Sequence, residues 1–225
     1  MSPAPLQTVE QETGPDPAWS VLWLHGLGAD GHDFAPIVPQ LLRPGWPALR
    51  FVFPHAPVRP VTINNGVRMR AWYDIAGLDF AERADADGVA ESIAQVEALI
   101  AREGGRGVPP SRVLLAGFSQ GGAIALALGT RRVQPLAGLV ALSTYLPGAG
   151  ELARFASEPA RSQPVFMAHG NADLVVAPAF GQRSAQALLA QGFEVEWHSY
   201  PMPHAVCAEE IADLSAWLDR RFAGG

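Results

Sequence analysis

Residues 112–129 decide the fold, and they read RVLLAGFSQGGAIALALG. Residues 113–117 form an apolar run typical of a buried strand, and residues 121–129 are small residues typical of a tightly packed helix. Between them, residues 117–121 (GFSQG) match G-x-S-x-G, in which a serine sits on a sharp turn between strand and helix. A chance serine in a glycine-rich turn is the alternative, but the strand and helix on either side argue against it. The segment therefore predicts a turn that exposes the Ser119 hydroxyl.

Outward from this unit, short apolar runs alternate with helical patterns. The runs cover residues 20–25, 49–53, 113–117, 138–142, 165–169 and 194–199. Apolar side chains at helical spacing mark residues 89–100, 179–191 and 211–222. Continuous apolar strands that alternate with helices are typical of a parallel sheet covered on both faces. We predict an α/β fold in one domain, residues 19–225, with a doubly wound, mostly parallel sheet flanked by helices. Residues 1–18 are expected to be an N-terminal extension or edge strand.

One segment, residues 54–80, interrupts this alternation. It is rich in proline, asparagine, glycine and aromatic residues, and it has no sustained periodicity. Irregular segments of this length inside a compact domain are usually functional or carry small elements of their own. We therefore expect it to contribute to a binding site.

Composition excludes several classes of function. The chain has 225 residues and a net charge of −6, which disfavours nucleic acid or an anionic membrane as a partner. All sixteen basic residues are arginine, so lysine-dependent chemistry, such as a Schiff base or a P-loop, is excluded. A single cysteine, Cys207, allows no internal disulfide. With no signal-like start and no apolar run long enough to span a bilayer, we expect a soluble, cytoplasmic protein without stable membrane insertion.

A serine is a weak nucleophile unless a base accepts its proton and an acid orients that base. In folds that place the nucleophile on such a turn, the chain order is serine, then acid, then histidine. Asp173 is the only aspartate between Ser119 and the last histidine, and it follows a predicted strand. His204 lies in a loop after the last strand, whereas His169 precedes Asp173 and His198 lies within a strand. The predicted catalytic set is Ser119, Asp173 and His204.

Acyl transfer also needs two backbone N–H groups to stabilise the developing oxyanion. One is expected from Gln120, the residue after the serine. The other is expected from the glycine-rich loop after the first predicted strand, with Leu27 as its donor. His25 in that loop is predicted to brace it.

Two other patterns in this loop point to different chemistry. Residues 26–31 spell G-x-G-x-x-G, but the acid that a dinucleotide site needs about 20 residues later is absent from residues 45–56. A cluster of His25, Asp30, His32 and Asp33 could bind zinc, although its spacing matches no metallohydrolase signature.

Six blocks in order give the chain a specific resemblance. They are LHGLGADGHDF, HAPVRPVTINNGVRMRAWYD, AGFSQGGAIAL, ALSTYLP, HGNADLVV and YPMPHAVCAEEI, spread over residues 19–222. Together they resemble the phospholipase/carboxylesterase family of α/β-hydrolases, which includes bacterial carboxylesterases and acyl-protein thioesterases. The resemblance implies an α/β-hydrolase fold with the roles named above for Ser119, Asp173, His204, Leu27 and Gln120. It also implies that Trp72, in the block AWYD, lies near the substrate entrance.

The expected activity is that of a serine carboxylesterase. Apolar residues near the predicted site suggest a groove for short-to-medium acyl chains, and the substrate contacts named are Trp72, Leu27, Tyr145 and Leu146. Within the class, acyl-protein thioesterase or lysophospholipase activity is the alternative; outside it, the alternative is a non-catalytic binding module on the same scaffold. The expected partner is a small-molecule acyl ester or thioester. No metal or organic cofactor is expected, and a homodimer is compatible with the sequence.

Overall fold

The computed structural model describes residues 5–77 and 85–223. The strands are β1 (Thr8–Glu12), β2 (Trp19–Leu24), β3 (Leu49–Pro54), β4 (Val58–Val61), β5 (Val67–Arg70), β6 (Val113–Phe118), β7 (Gly138–Leu142), β8 (Val165–Gly170) and β9 (Val195–Tyr200). The helices are α1 (Val38–Leu41), α2 (Ala86–Gly105), α3 (Gln120–Gly129), α4 (Leu152–Phe155), α5 (Pro178–Ala190) and α6 (Ala208–Phe222).

Seven strands form one twisted sheet in the order β1-β3-β2-β6-β7-β8-β9. Strand β1 is antiparallel to β3, and the remaining neighbours are parallel. Because the six strands of this sheet other than β1 run in one direction, their carboxyl ends share one edge of the sheet. The loops that follow β2, β6, β8 and β9 therefore meet at this edge, which places distant parts of the sequence side by side.

Successive residues of the central strands pack into different layers. In β6, Leu115 belongs to the apolar layer under α2, α3 and α5, whereas its neighbours Leu114 and Ala116 belong to the layer under α1 and α6. Helix α3 is buried at every position. Its glycines let it lie close to β6 and β7, because a Cβ added to Gly122 would lie 2.9 Å from the Gly117 carbonyl oxygen and one added to Gly129 would lie 2.4 Å from the Leu139 side chain.

The predicted α/β class, the mostly parallel sheet and the single domain are confirmed. Each of the six predicted strands and four predicted helices is present, with bounds shifted by a few residues. The irregular segment 54–80 carries the antiparallel hairpin β4–β5, and its last residues, 78–80, lie outside the described residues. No helix within the described ranges is both long and apolar enough to cross a membrane.

Candidate active site

Ser119 occupies the sharp turn between β6 and α3. Its backbone has φ 53° and ψ −121°, a conformation that residues other than glycine rarely adopt. The turn is held from both sides: the Ser119 N–H donates to the Leu142 carbonyl at 2.9 Å, and the Thr144 hydroxyl donates to the Ser119 carbonyl at 2.6 Å. These two hydrogen bonds stabilise the strained backbone of Ser119, and the turn places its hydroxyl at the edge of the sheet.

The two glycines of the motif are required by close approach. A Cβ added to Gly117 would lie 2.4 Å from the Gly121 carbonyl carbon, and one added to Gly121 would lie 2.3 Å from the Leu24 carbonyl oxygen. Both contacts are far below normal van der Waals distances and involve backbone atoms that cannot move aside. The G-x-S-x-G spacing therefore reflects the crossing of strand, turn and helix at this point.

A continuous chain of hydrogen bonds joins Ser119, His204 and Asp173. His204 Nε2 lies 3.0 Å from Ser119 Oγ, and His204 Nδ1 lies 2.7 Å from Asp173 Oδ2. Since a carboxylate can only accept, His204 carries its proton on Nδ1, which leaves Nε2 free to accept from the serine hydroxyl. The Phe118 ring, 4.8 Å from the imidazole centroid, packs against His204. The loops after β6, β8 and β9 thus bring together three residues that the sequence spreads over 85 positions.

The Asp173 carboxylate is almost fully buried and is surrounded by donors. Its Oδ1 accepts from the Val175 and Val176 amides at 2.8 and 2.9 Å. His169 Nε2 lies 3.2 Å from Oδ2 and 2.9 Å from the Val176 carbonyl. Burial lowers the pKa of His169, so that a neutral ring with its proton on Nε2 fits both contacts. Chain order excludes His169 as the base, yet its ring contacts the Asp173 carboxylate.

Leu27 and Gln120, the two expected oxyanion donors, face the same space as Ser119. Leu27 lies in the loop after β2, and Gln120 is the first residue of α3, where helix N–H groups lack intrahelical acceptors. Neither N–H takes part in a hydrogen bond between described residues. The glycine-rich loop packs against the serine, since a Cβ on Gly26 would be 3.5 Å from Ser119 Cβ. This arrangement leaves two free donors beside the hydroxyl.

His25 braces the loop, as its position suggested. Its Nε2 accepts from the Ala56 amide at 3.0 Å, so its proton is on Nδ1, which donates to the Gly26 carbonyl at 2.7 Å. The ring is 1% exposed, and this burial lowers its pKa from the ordinary 6.5 to about 4. His25 is therefore neutral in the folded protein at neutral pH.

The burial of His25 predicts a loss of stability in mild acid. Between pH 6.5 and pH 4 the unfolded chain binds a proton at this residue that the folded chain does not, so stability falls as the pH is lowered through that range. The stabilisation at stake is about 3 kcal/mol. In urea unfolding, the free energy of unfolding of the wild type should fall between pH 7 and pH 5. In His25→Gln that fall should be smaller by about 2 kcal/mol. The exposed His32→Gln is the control, and a decrease in His25→Gln equal to the wild type would contradict the assignment.

An apolar cavity of about 250 Å³ opens beside Ser119. It is lined by Leu27, Ile63, Asn64, Tyr73, Ile75, Ser119, Gln120, Tyr145, Leu174, Val175 and Val176. The hydroxyls of Tyr73 and Tyr145 lie 2.6 Å apart, and burial raises the pKa of Tyr145 to about 12, so both phenols are neutral at pH 7. The cavity thus has mainly aliphatic and neutral aromatic walls, and none of its described lining residues carries a charge.

Two of the four expected substrate contacts, Trp72 and Leu146, are not among the residues that line this cavity. Trp72 is 0% exposed and does not line the cavity; its indole Nε1 instead donates to the His25 carbonyl at 2.9 Å. Leu146 is also fully buried, and it borders another cavity of about 850 Å³ whose described lining residues do not include Ser119. Leu27 and Tyr145 do line the cavity beside the serine. Sequence patterns did not predict that Ile63, Ile75 and residues 174–176 line the cavity. They did single out the irregular segment 54–80 as part of a binding site and the loop around Asp173 as catalytic.

The metal alternative in the loop after β2 finds no support. No group of three or more histidine, cysteine, aspartate or glutamate side chains in residues 5–77 and 85–223 is arranged to hold a metal ion. Both nitrogens of His25 are engaged with backbone groups, and Asp30 accepts from the His32 amide at 2.8 Å. These residues stabilise the loop.

Comparison with known proteins points to one family. Residues 6–221 match the family model described as phospholipase/carboxylesterase. The acyl-protein thioesterase 1 of Cryptococcus neoformans is 40% identical over 216 residues, which cover 88% of this chain and 90% of that protein. The acyl-protein thioesterase 1 of Mycosarcoma maydis is 37% identical and covers 98% of both chains. Among solved structures, acyl-protein thioesterase 2 of Zea mays superposes with a TM-score of 0.82 at 32% identity, covering 96% of this chain and 99% of that one.

Proposed function

The chain belongs to the phospholipase/carboxylesterase family, and from this premise we propose that it is a serine hydrolase that cleaves carboxylic esters of short-to-medium acyl chains through an acyl-enzyme on Ser119. The observation that carries the proposal is the hydrogen-bonded chain from Ser119 through His204 to Asp173 at the mouth of an apolar cavity. A non-catalytic module would have no need of a strained serine aligned with a base and a buried acid.

The proposed mechanism follows from the tautomer of His204. Ser119 Oγ attacks the carbonyl carbon while its proton passes to His204 Nε2, and the Asp173 carboxylate stabilises the resulting imidazolium. The Leu27 and Gln120 amides donate to the oxyanion of the tetrahedral intermediate. When the bond to the leaving group breaks, His204 returns the proton to the leaving oxygen or sulfur. Water then gives a proton to His204 Nε2 and attacks the acyl carbonyl carbon. When the second intermediate collapses, the bond between the acyl carbon and Ser119 Oγ breaks and His204 returns the proton to Oγ, which releases the acid and restores the Ser119 hydroxyl.

Thioester cleavage is the second candidate, and the two acyl-protein thioesterases among the relatives favour it. The same serine chemistry serves both bonds, because only the leaving atom differs. The two are separated by substrates that share one acyl chain: p-nitrophenyl octanoate, octanoyl-coenzyme A and an octanoyl lysophospholipid. We expect hydrolysis of the ester with detectable cleavage of the thioester. Failure to hydrolyse all three would remove the proposed function, and a kcat/KM dominated by the thioester or the lysolipid would reassign the substrate class.

Acyl-chain preference should follow the size of the cavity. Each buried methylene stabilises the bound chain by about 0.8 kcal/mol at most, so kcat/KM should rise up to about fourfold per methylene until the cavity is full. Ile75→Phe places a larger ring in the wall and should move the optimum to shorter chains while retaining activity on the acetyl ester. The measurement is kcat/KM across p-nitrophenyl esters from acetate to palmitate.

The matched control is Leu189→Phe, which adds the same ring at a side chain that is 53% exposed on α5. It should keep the wild-type chain-length profile. If Ile75→Phe also keeps that profile, the acyl chain binds somewhere other than the cavity beside Ser119.

We further propose a cytoplasmic location, on the basis of the single cysteine, Cys207, which is a free thiol. The division into residues 1–18 and 19–225 stays a prediction. Strand β1, from the first of these segments, pairs with β3 at the sheet edge and supports the edge-strand alternative. A homodimer likewise stays a prediction, which sedimentation would test.

A further inference from the structure

We propose that Trp72 is a positioning residue for the reaction, because it links the loop that carries the Leu27 amide to the helix start that carries the Gln120 amide. The inference rests on the proposed function, since those two amides are its oxyanion donors. It replaces the expected contact of Trp72 with substrate.

The side chain of Trp72 reaches the first of the two segments. Its indole Nε1 donates to the His25 carbonyl at 2.9 Å, and its ring centroid lies 5.4 Å from that of His25. His25 is two residues before Leu27, so this bond fixes the direction of the peptide that leads into the donor. The indole is fully buried and is not among the residues that line the cavity beside Ser119, so its role is assigned through the segments it holds.

The backbone of Trp72 reaches the second segment. Its N–H donates to Gln120 Oε1 at 2.8 Å, while Gln120 Nε2 donates to the Tyr73 carbonyl at 2.7 Å. Both ends of the Gln120 carboxamide are thereby used to hold this short segment of chain against the first turn of α3. The Ser92 hydroxyl donates to the Trp72 carbonyl and ties the same segment to α2.

The loop and the helix start are already in direct contact, which makes their relative position sensitive to small shifts. A Cβ on Gly121 would lie 2.6 Å from the His25 carbonyl oxygen, the same atom that accepts from Trp72. That carbonyl is therefore enclosed between the helix start and the indole. Removing the indole donor would leave it desolvated and without this partner, and the peptide would be free to rotate.

Such a rotation would act on the rate and not on binding. Oxyanion donors stabilise the transition state because they are oriented before the reaction, and losing a donor outright costs about 10²–10³ in kcat. Trp72→Phe keeps both amides but loosens their relative placement, so a smaller loss of about tenfold in kcat is expected. KM for a p-nitrophenyl ester should stay within about twofold, because the cavity wall is unchanged.

The experiment compares Trp72→Phe with Trp217→Phe. Trp217 is 2% exposed and lies in the apolar layer under α1 and α6, so its replacement removes the same indole from the core without touching the site. We measure kcat and KM on p-nitrophenyl butyrate and the rate of phosphonylation by a fluorophosphonate, whose phosphoryl oxygen occupies the same donor pair. Both kcat and the phosphonylation rate should fall in Trp72→Phe and stay at wild-type values in Trp217→Phe.

The outcomes are distinct. Wild-type values of kcat and phosphonylation in Trp72→Phe would overturn the inference, as would an equal fall in Trp217→Phe, which would indicate a general effect of core loss. If Trp72→Phe does not fold, Ser92→Ala decides: a fall in kcat at constant KM supports the role, and an unchanged kcat overturns it. If the wild type is active and Trp72→Phe is unaffected, this inference alone is wrong. If the wild type hydrolyses no ester, the proposed function is wrong as well.

Discussion

Ser119→Ala and His204→Ala are each expected to lose at least about 10³-fold in kcat while the protein stays folded, because in the proposed mechanism the nucleophile and its base act as one unit. Neither change removes a buried bond that the core depends on, since the Ser119 hydroxyl and His204 meet at the open edge of the sheet. The measurement is kcat on p-nitrophenyl butyrate at pH 7.5, with circular dichroism to establish folding. The exposed Ser162→Ala and His32→Ala serve as controls and should keep wild-type rates.

The double variant tests whether the two residues form a unit. Once the serine is gone, the imidazole has no proton to accept, so Ser119→Ala/His204→Ala should be no slower than the worse single variant. A double variant that loses the product of the two single effects would show that the residues act independently, and the proposed mechanism would be wrong.

Asp173→Asn is expected to lower kcat by about 10³–10⁴-fold, since an amide in this position can stabilise the wrong tautomer of the histidine. The Asp173 carboxylate accepts from His204 Nδ1 and from two backbone amides, and an asparagine cannot offer acceptors to all of them. Its NH₂ group must then face a donor. If the NH₂ faces Nδ1, the imidazole proton moves to Nε2 and the base can no longer accept from Ser119.

The control for this change is Asp219→Asn, at an aspartate whose side chain is 54% exposed. It should keep the wild-type kcat. An Asp173→Asn enzyme within tenfold of the wild type would mean that Asp173 does not orient His204 during the reaction. Urea unfolding of Asp173→Asn separates the two effects of the substitution, since a loss of rate in a protein that is still folded at assay temperature cannot come from unfolding.

The sequence predicted what depends on local patterns and chain order. The run at 113–117, the glycines around Ser119 and the small-residue helix dictate a strand–turn–helix by themselves. Asp173 and His204 could be selected because parallel strands deliver their following loops to one edge. The structure brings these three residues within hydrogen-bond distance, and their roles stay predictions until variants are assayed.

What the sequence could not predict depends on contacts between distant segments. Trp72 looked like a substrate contact because it is aromatic and lies in an irregular segment. Its burial follows from bonds to His25 and Gln120, each almost fifty residues away, which no local pattern encodes. The cavity wall formed by residues 174–176 depends likewise on how the loop folds back around the Asp173 carboxylate. Chain order excludes His169 as the base. That rule concerns only the base, so it cannot predict that a second histidine contacts the acid.

The central claim is that Ser119 is the residue that carries the acyl group. Its most direct test is the mass of the intact protein after incubation with a fluorophosphonate, followed by peptide mapping and parallel assay of ester hydrolysis. We predict one adduct per chain, located on Ser119, with hydrolysis lost in proportion to labelling and no adduct on Ser119→Ala. An adduct on another residue, or hydrolysis that continues after Ser119 is fully labelled, would contradict the claim.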